Sequence, residues 1–327
     1  MKTLAGPLLA WYRRAHRDLP WRRTEDPYRI WVSEIMLQQT RAQAVIPYYQ
    51  RFLDRFPTVE ALAAATEQDV LALWAGLGYY SRARNLRRAA QQVAASGGFP
   101  RDYAAIRALP GIGDYTAAAI ASIAFELPHA AVDGNVLRVV ARLENDSADI
   151  GAPRTRERFR AVVQEWMGRS QPGVFNQALM ELGATVCLPA NPLCRACPVG
   201  GRCRALQAGT VAQLPVKLRK TKPVAIAAVL LLVRRGGRVL LRQIEAGARR
   251  MAGFWELPAP EQLPEARAGK SWGEFRHTIT HHHYTFTVRS ATVRAPGPDF
   301  RWFSAGEMAE IPLGTTARKA LRLARFL

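Results

Sequence analysis

Lysine is nearly missing from this sequence. Its six copies are Lys2, Lys217, Lys220, Lys222, Lys270 and Lys319, so residues 3–216 carry no side-chain amine and cannot form a Schiff base through lysine. Acids are also scarce: 26 against 46 basic residues, a net charge of +20. The other 40 cations are arginines, and a composition rich in Arg and Ala accounts for part of that excess. The remainder points to a polyanionic partner, with nucleic acid ahead of a membrane surface. No apolar stretch approaches the length of a membrane span; the longest is 224–233. The N-terminus has no export-signal core with a small-residue cleavage site, so a cytoplasmic protein is expected. Cysteine occurs four times, always within 187–203, and in a reducing compartment this favours a metal site over disulfides. What is present is 327 residues, 49% of them hydrophobic, enough for two domains with proper cores.

Two patterns divide the chain. Up to about residue 206, apolar residues recur at three- and four-residue spacing, predicting helices over 47–56, 66–75, 83–95, 116–125, 136–143 and 156–166, punctuated by Pro and Gly. Residues 1–208 therefore read as an all-α domain. A Pro-bounded basic stretch within 209–223 reads as a linker. Beyond it, 225–233, Gly236-Gly237 and 238–243 make a hairpin signal. Alternation resumes over 284–293 and an amphipathic helix closes the chain over 315–327, so residues 224–327 form an α+β domain.

The cysteines are spaced Cys187-x6-Cys194-x2-Cys197-x5-Cys203. Four thiolates this close suit tetrahedral zinc or a cubane iron–sulfur cluster, and spacing does not separate them. Arg195, Arg202 and Arg204 decorate this loop, which reads as a metal-organised knob offering cations to phosphate. Between two helical patterns stands Leu109-Pro110-Gly111-Ile112-Gly113-Asp114-Tyr115-Thr116-Ala117. Gly111 and Gly113 permit a tight turn whose bare N–H groups, with the positive end of the next helix, can hold a phosphate. Read as an ordinary loop instead, the same segment would have Asp114 or Thr116 as the cap of the next helix.

This hairpin (109–117) with the cysteine loop (187–203) resembles the endonuclease III, or helix-hairpin-helix, superfamily of DNA glycosylases. Within it, Trp31-Val-Ser-Glu34-Ile-Met-Leu-Gln38-Gln39-Thr40, Trp74-x-Gly-Leu77-Gly-Tyr79-Tyr80-x-Arg82-Ala-Arg84-Asn85 and Val132-Asp133-Gly134-Asn135-Val136 resemble the MutY-type adenine DNA glycosylases. The resemblance implies a [4Fe–4S] cluster on Cys187, Cys194, Cys197 and Cys203. It also implies excision of adenine opposite 8-oxoguanine or guanine in double-stranded DNA, by a monomer associated with DNA and not with membranes.

Cleaving an N-glycosidic bond requires a proton for the departing base and an anion beside the cationic sugar. Glu34 lies in a strongly apolar helix, where burial would keep it protonated near neutral pH. Asp133 precedes Gly-Asn at a helix start; as a capping carboxylate it is well held and can stay ionised. By resemblance, Glu34 protonates adenine, Asp133 stabilises the sugar cation, and Tyr115 and Asn135 position water and carboxylate. Superfamily members that also cut the strand carry Lys where this chain has Tyr115, so a monofunctional enzyme is expected. The family pattern further implies that Arg22, Leu37 and Glu181 line the adenine pocket, while Gln39, Thr40, Leu77 and Tyr79 contact or wedge beside the 8-oxoguanine.

Gly253-Phe-Trp255-Glu-Leu-Pro258 resembles the Nudix-like C-terminal domain of that family. Residues 261–273 lack the carboxylate cluster of a working Nudix hydrolase, so lesion recognition, not pyrophosphatase activity, is expected. Ile279, Thr280 and His281 stand where the family reads Phe-Ser-His: hydroxyl and imidazole are kept and the aromatic is lost. Asp114 also departs from the family's non-acidic residue. His277 and His281-His282-His283 have no Cys or acid nearby to complete a metal set. Two alternatives stay open, a thymine or uracil mismatch glycosylase of the same superfamily and a non-catalytic iron–sulfur DNA-binding protein.

Overall fold

Aspartates and a threonine set where many of the helices begin. The computed structural model describes residues 4–168, 170–218, 222–245, 247–248 and 251–327. Its helices are α1 (Ala5–Ala15), α2 (Pro27–Leu37), α3 (Ala42–Arg55), α4 (Val59–Ala64), α5 (Glu67–Trp74), α6 (Ser81–Ala95), α7 (Tyr103–Ala108), α8 (Asp114–Phe125), α9 (Gly134–Leu143), α10 (Pro153–Met167), α11 (Pro172–Thr185), α12 (Arg204–Gln207) and α13 (Thr315–Leu323). Asp26, Thr66, Asp102 and Asp133 cap α2, α5, α7 and α9 through backbone N–H groups of the first turn. Each such cap contributes about 1 kcal/mol. All six expected helices are present within a few residues. Among the described residues, no helix is long and apolar enough to cross a membrane.

The chain divides into two compact units, Met1–Glu60 with Arg88–Lys220, and Ala61–Arg87 with Thr221–Leu327. Residues 61–87, expected within a continuous domain 1–208, thus group with the C-terminal sheet. The expected linker 209–223 is in part fixed structure: Leu214 is buried and the Ile150 N–H donates to the Val216 carbonyl at 3.0 Å. Its residues 219–221 lie outside the described residues.

In the first unit, α1, α9, α10 and α11 close round a core that includes Leu8, Val140, Phe159, Val163, Phe175 and Leu179. Helix α9 is buried from Val136 to Leu143, so two arginines, Arg138 and Arg142, are buried with it. The preceding segment is held by Asn176, which accepts from the Ala131 N–H at 3.0 Å and donates to the His129 carbonyl at 2.8 Å.

The second unit is built on a six-stranded sheet: β1 (Val224–Arg235), β2 (Arg238–Gln243), β3 (Trp255–Glu256), β4 (Arg267–Ile279), β5 (His282–Thr292) and β6 (Phe300–Phe303). Its order is β3-β2-β1-β5-β4, with β6 also paired to β2 and β1 parallel to β5. The unbroken apolar run of β1 follows from its having both faces covered. Leu230 and Leu232 join one core with Val288 and α13, while Leu231 and Val233 join another with Leu240 and Leu263. Gly236 and Gly237, at φ +54° and +72°, close the β1–β2 hairpin. Between β3 and β4 the described residues hold a single 3-10 turn, Pro260–Gln262.

Candidate active site

One cleft of the first unit, about 1420 Å³, gathers most of the expected residues: Glu34, Asp133, Tyr115, Asn135, Arg22, Leu37, Gln39, Thr40, Gly113 and Glu181. Glu34 sits on the buried face of α2 with 5% of its surface exposed. Burial pushes its carboxyl from 4.5 up to about 7, and the nearby Asp133 adds to this; the Tyr115 hydrogen bond and Arg22 oppose it. The Tyr115 hydroxyl donates to Glu34 Oε2 at 2.8 Å and lies 3.1 Å from Met180 Sδ. Burial and both carboxyl groups hold that phenol well above its ordinary value, so it remains a donor.

Asp133 is the N-cap of α9, as its position before Gly-Asn suggested. Its Oδ1 accepts from the Val136 N–H at 2.7 Å and its Oδ2 from Asn135 Nδ2 at 3.0 Å. Burial raises its carboxyl, and these hydrogen bonds pull the other way without reversing the shift. The Asn135 amide is itself oriented by Arg138 Nη2, which donates to its Oδ1 at 2.9 Å.

Glu181 is fully buried on α11, a helix the sequence pattern did not single out. Its oxygens accept from the Arg17 N–H (3.0 Å), Arg17 Nε (2.8 Å), Arg17 Nη2 (2.7 Å) and Arg22 Nη2 (2.7 Å). Burial alone would raise this carboxyl, but the arginine hydrogen bonds outweigh it and hold Glu181 down at about 2. Sequence reasoning missed Arg17, Arg138 and Met180. Arg17 meets Glu181 across 164 residues of chain, so spacing gave no signal for it. Arg138, three residues after Asn135 on a buried helix, was legible as a cation needing partners.

Gln39 projects from a left-handed backbone at φ +58°, and the Thr40 N–H closes the turn after α2 onto the Leu37 carbonyl at 3.1 Å. In the hairpin, Gly111 takes φ +79° and Gly113 is the N-cap of α8, with no side-chain cap. Neither Asp114 nor Thr116 fills that role: Asp114 is the first helical residue and pairs with Arg107 and, at 3.5 Å, with Arg160.

Leu77, Tyr79, Thr280 and His281 belong to the second unit. Leu77 is buried, while Tyr79 is 46% exposed at φ +49°. Thr280, at φ +56°, and His281 form the two-residue turn between β4 and β5.

The four cysteines form no disulfide and line one small cavity, about 30 Å³, walled by Val139, Leu143, Leu182 and Val186. Buried Arg142 donates to Cys187 Sγ at 3.4 Å and to the carbonyls of Leu188 and Pro189, placing a cation against the thiol set. Burial raises the Cys197 thiol to about 11. Among the described residues, no three Cys, His, Asp or Glu side chains are arranged to hold a single metal ion. Of the loop's arginines, Arg195 is exposed, whereas Arg204 is engaged with Glu144 at 2.6 Å.

Residues 32–165 match the HhH-GPD superfamily of base excision DNA repair proteins, and residues 228–323 match the NUDIX domain. A human adenine DNA glycosylase is 47% identical over 213 residues, covering 62% of this chain and 39% of that protein. An Arabidopsis thaliana adenine DNA glycosylase is 41% identical over 294 residues, covering 77% of this chain and 46% of its own length. The chain thus spans less than half the length of these two relatives. A thermostable thymine-DNA glycosylase structure superposes with a TM-score of 0.55 at 28% identity, covering 62% of this chain and 95% of that one.

Proposed function

We propose that this chain, which belongs through its helical unit to the HhH-GPD superfamily of base excision DNA repair proteins, is a monofunctional adenine DNA glycosylase acting on adenine opposite 8-oxoguanine or guanine. The observation that carries this reading is the pairing of a buried, Tyr115-bonded Glu34 with the helix-capping Asp133 in one cleft. The duplex binds along the basic helical unit, with a phosphate at the open N-terminus of α8. Adenine leaves the stack and enters the cleft. Glu34, protonated near neutral pH, gives its proton to the departing base as the N-glycosidic bond breaks and its electron pair moves to adenine. Asp133 faces the cationic sugar carbon until water adds there and passes a proton to the now ionised Glu34, which restores the acid. With four hydrogen bonds already on its oxygens, Glu181 acts by holding Arg17 and Arg22 in the adenine-facing wall.

Among the described residues no lysine lines the cleft, and Tyr115 occupies the hairpin position, so base release leaves an abasic site without lysine-dependent strand cutting. Leu77 and Tyr79, Gln39 and Thr40, and Thr280 and His281 are assigned to the wedge and to reading 8-oxoguanine.

Cys187, Cys194, Cys197 and Cys203 would hold a [4Fe–4S] cluster, which supplies a rigid core for their loop. Four thiols on one apolar cavity beside the Arg142 cation fit an anionic thiolate cluster of that kind. Single-turnover excision on duplexes with A opposite 8-oxoguanine, T opposite G and U opposite G tests the assignment. Adenine should be released and the pyrimidines left. Preferential release of thymine would shift the assignment to the mismatch glycosylases, a reading favoured by the superposition on a thymine-DNA glycosylase.

A further inference from the structure

Within the second unit, the wedge segment and the C-terminal sheet share a small core. Residues 76–80 form a strained turn: Gly76, Gly78 and Tyr79 all have positive φ, at +114°, +72° and +49°. An aromatic residue in that region is costly and persists only when its surroundings enforce it. The enforcement is visible. Trp74 Nε1 donates to the Gly78 carbonyl at 3.3 Å, and Arg82 Nη2 donates to the Leu77 and Gly78 carbonyls at 3.1 and 3.0 Å. Tyr79 is left exposed, while Tyr80 turns inward.

What Tyr80 turns onto is Phe254, which is fully buried although it lies in a loop. Their ring centroids are 4.0 Å apart. Arg84 adds a second tie, donating to the Ala252 carbonyl while its Nε pairs with Glu67 at 2.7 Å. The Phe254 loop is itself rigidly held. The Gly253 N–H donates to the Ile244 carbonyl and the Ile244 N–H to the Phe254 carbonyl, both at 2.8 Å, fastening it to the end of β2. Gly253, at φ +75°, allows the tight turn that aims the ring.

We infer that Phe254 is a positioning residue for base extrusion: packed against Tyr80, it holds the 76–80 turn in the shape that presents Tyr79 outward. The C-terminal sheet then helps to open the duplex as well as to read the opposing base. This inference rests on the adenine glycosylase reading.

The test uses the full chain and single-turnover excision on two duplexes, one with adenine opposite 8-oxoguanine and one with adenine opposite an abasic analogue, where no base pair must be broken. Phe254→Ala should slow excision from the first by about tenfold or more and from the second by less than about threefold. Phe254→Leu, which keeps an apolar filler, should recover most of the rate. Tyr79→Ala should show the same substrate pattern, and the Phe254→Ala/Tyr79→Ala double variant should be no slower than Tyr79→Ala alone. Equal losses on both duplexes, multiplying effects in the double variant, or an unchanged rate in a folded Phe254→Ala protein would each overturn the inference. If Phe254→Ala does not fold, Arg84→Gln, which cuts the other tie without opening a cavity, decides by the same criteria. A wild-type protein that releases no adenine from either duplex overturns the underlying reading instead.

Discussion

Replacing Glu34 by Gln should abolish base release and yet stabilise the protein, in a pH-dependent way that follows from its environment. Glu34 is buried and its carboxyl is raised from 4.5 to about 7. A carboxyl raised on folding favours the folded state only while it is protonated in both states. That contribution is complete below about pH 4.5 and is lost as the pH climbs through about 7. By pH 8 the folded protein carries a burden of about 3 kcal/mol relative to a neutral isostere. Gln has nearly the same shape and can still accept from the Tyr115 hydroxyl, but it has no proton to lose. For a unit of this size, 3 kcal/mol corresponds to a Tm gain of roughly 6–12 °C at pH 8, shrinking to a few degrees at pH 5. Thermal melts of both proteins at those two pH values measure this directly. Excision by the wild type should fall as pH rises above about 7, because the acid is then ionised. A melting difference that is the same at pH 5 and pH 8 would refute burial as the source of Glu34's acidity. Full adenine release by the Gln variant would refute its role as proton donor.

Asp133→Asn should leave α9 capped and the fold intact while excision disappears; Asp133→Ala should in addition cost about 1 kcal/mol of stability in denaturant titration. Glu181→Gln should destabilise the fold by about 3 kcal/mol, since Arg17 and Arg22 lose their buried counter-charge, and should move the alkaline limb of the excision profile below pH 7. Cys203→Ser should remove any broad visible absorbance band of the purified protein, a band that zinc cannot produce. Asp114→Asn releases Arg107 at the hairpin and leaves Arg160 only its Glu157 partner, so binding to undamaged duplex should tighten and its salt dependence steepen by about one phosphate contact in a titration against salt concentration.

The features legible in the sequence were those fixed by local chemistry. Asp133 before Gly-Asn is a cap wherever a helix follows, and Gly236-Gly237 between two apolar runs makes a hairpin because both residues must take positive φ. Glu34 could be placed in an apolar helix but equally on its wet side; the structure decides this, burying it with Ile30, Trp31 and Ile35. The helix-hairpin turn was legible, but its cap was not: Gly113 holds that position with backbone alone, and Asp114 is drawn into ion pairs with arginines that periodicity does not connect. Residues 61–87 read as helices, correctly. Their grouping with the C-terminal sheet depends on contacts such as Tyr80 with Phe254, far along the chain, which no short-range pattern records. Strand β4 was missed for a related reason. Its register shifts twice against β5 between Ala268 and Gly273, which breaks the alternation that marks a strand in sequence.

The basic excess raises a problem that the cleft itself resolves. A general acid in a protein of net charge +20 sits in a field that favours its ionised form, and Arg22 acts on Glu34 in that direction. Left uncompensated in the same cleft, Arg17 and Arg22 would add to that field. Glu181 prevents this. Held ionised by four hydrogen bonds, it offsets the arginine charge at close range while leaving their remaining donors for a ligand. Asp133 contributes a second anionic influence, which raises Glu34 further. On the proposed reading, the proton that base release requires is maintained by desolvation on α2 and by Asp133 of α9, while Glu181 of α11 acts only through the arginines it pairs. On the proposed reading, a buried carboxyl that forms no bond to Glu34 thus serves the chemistry as well as the fold.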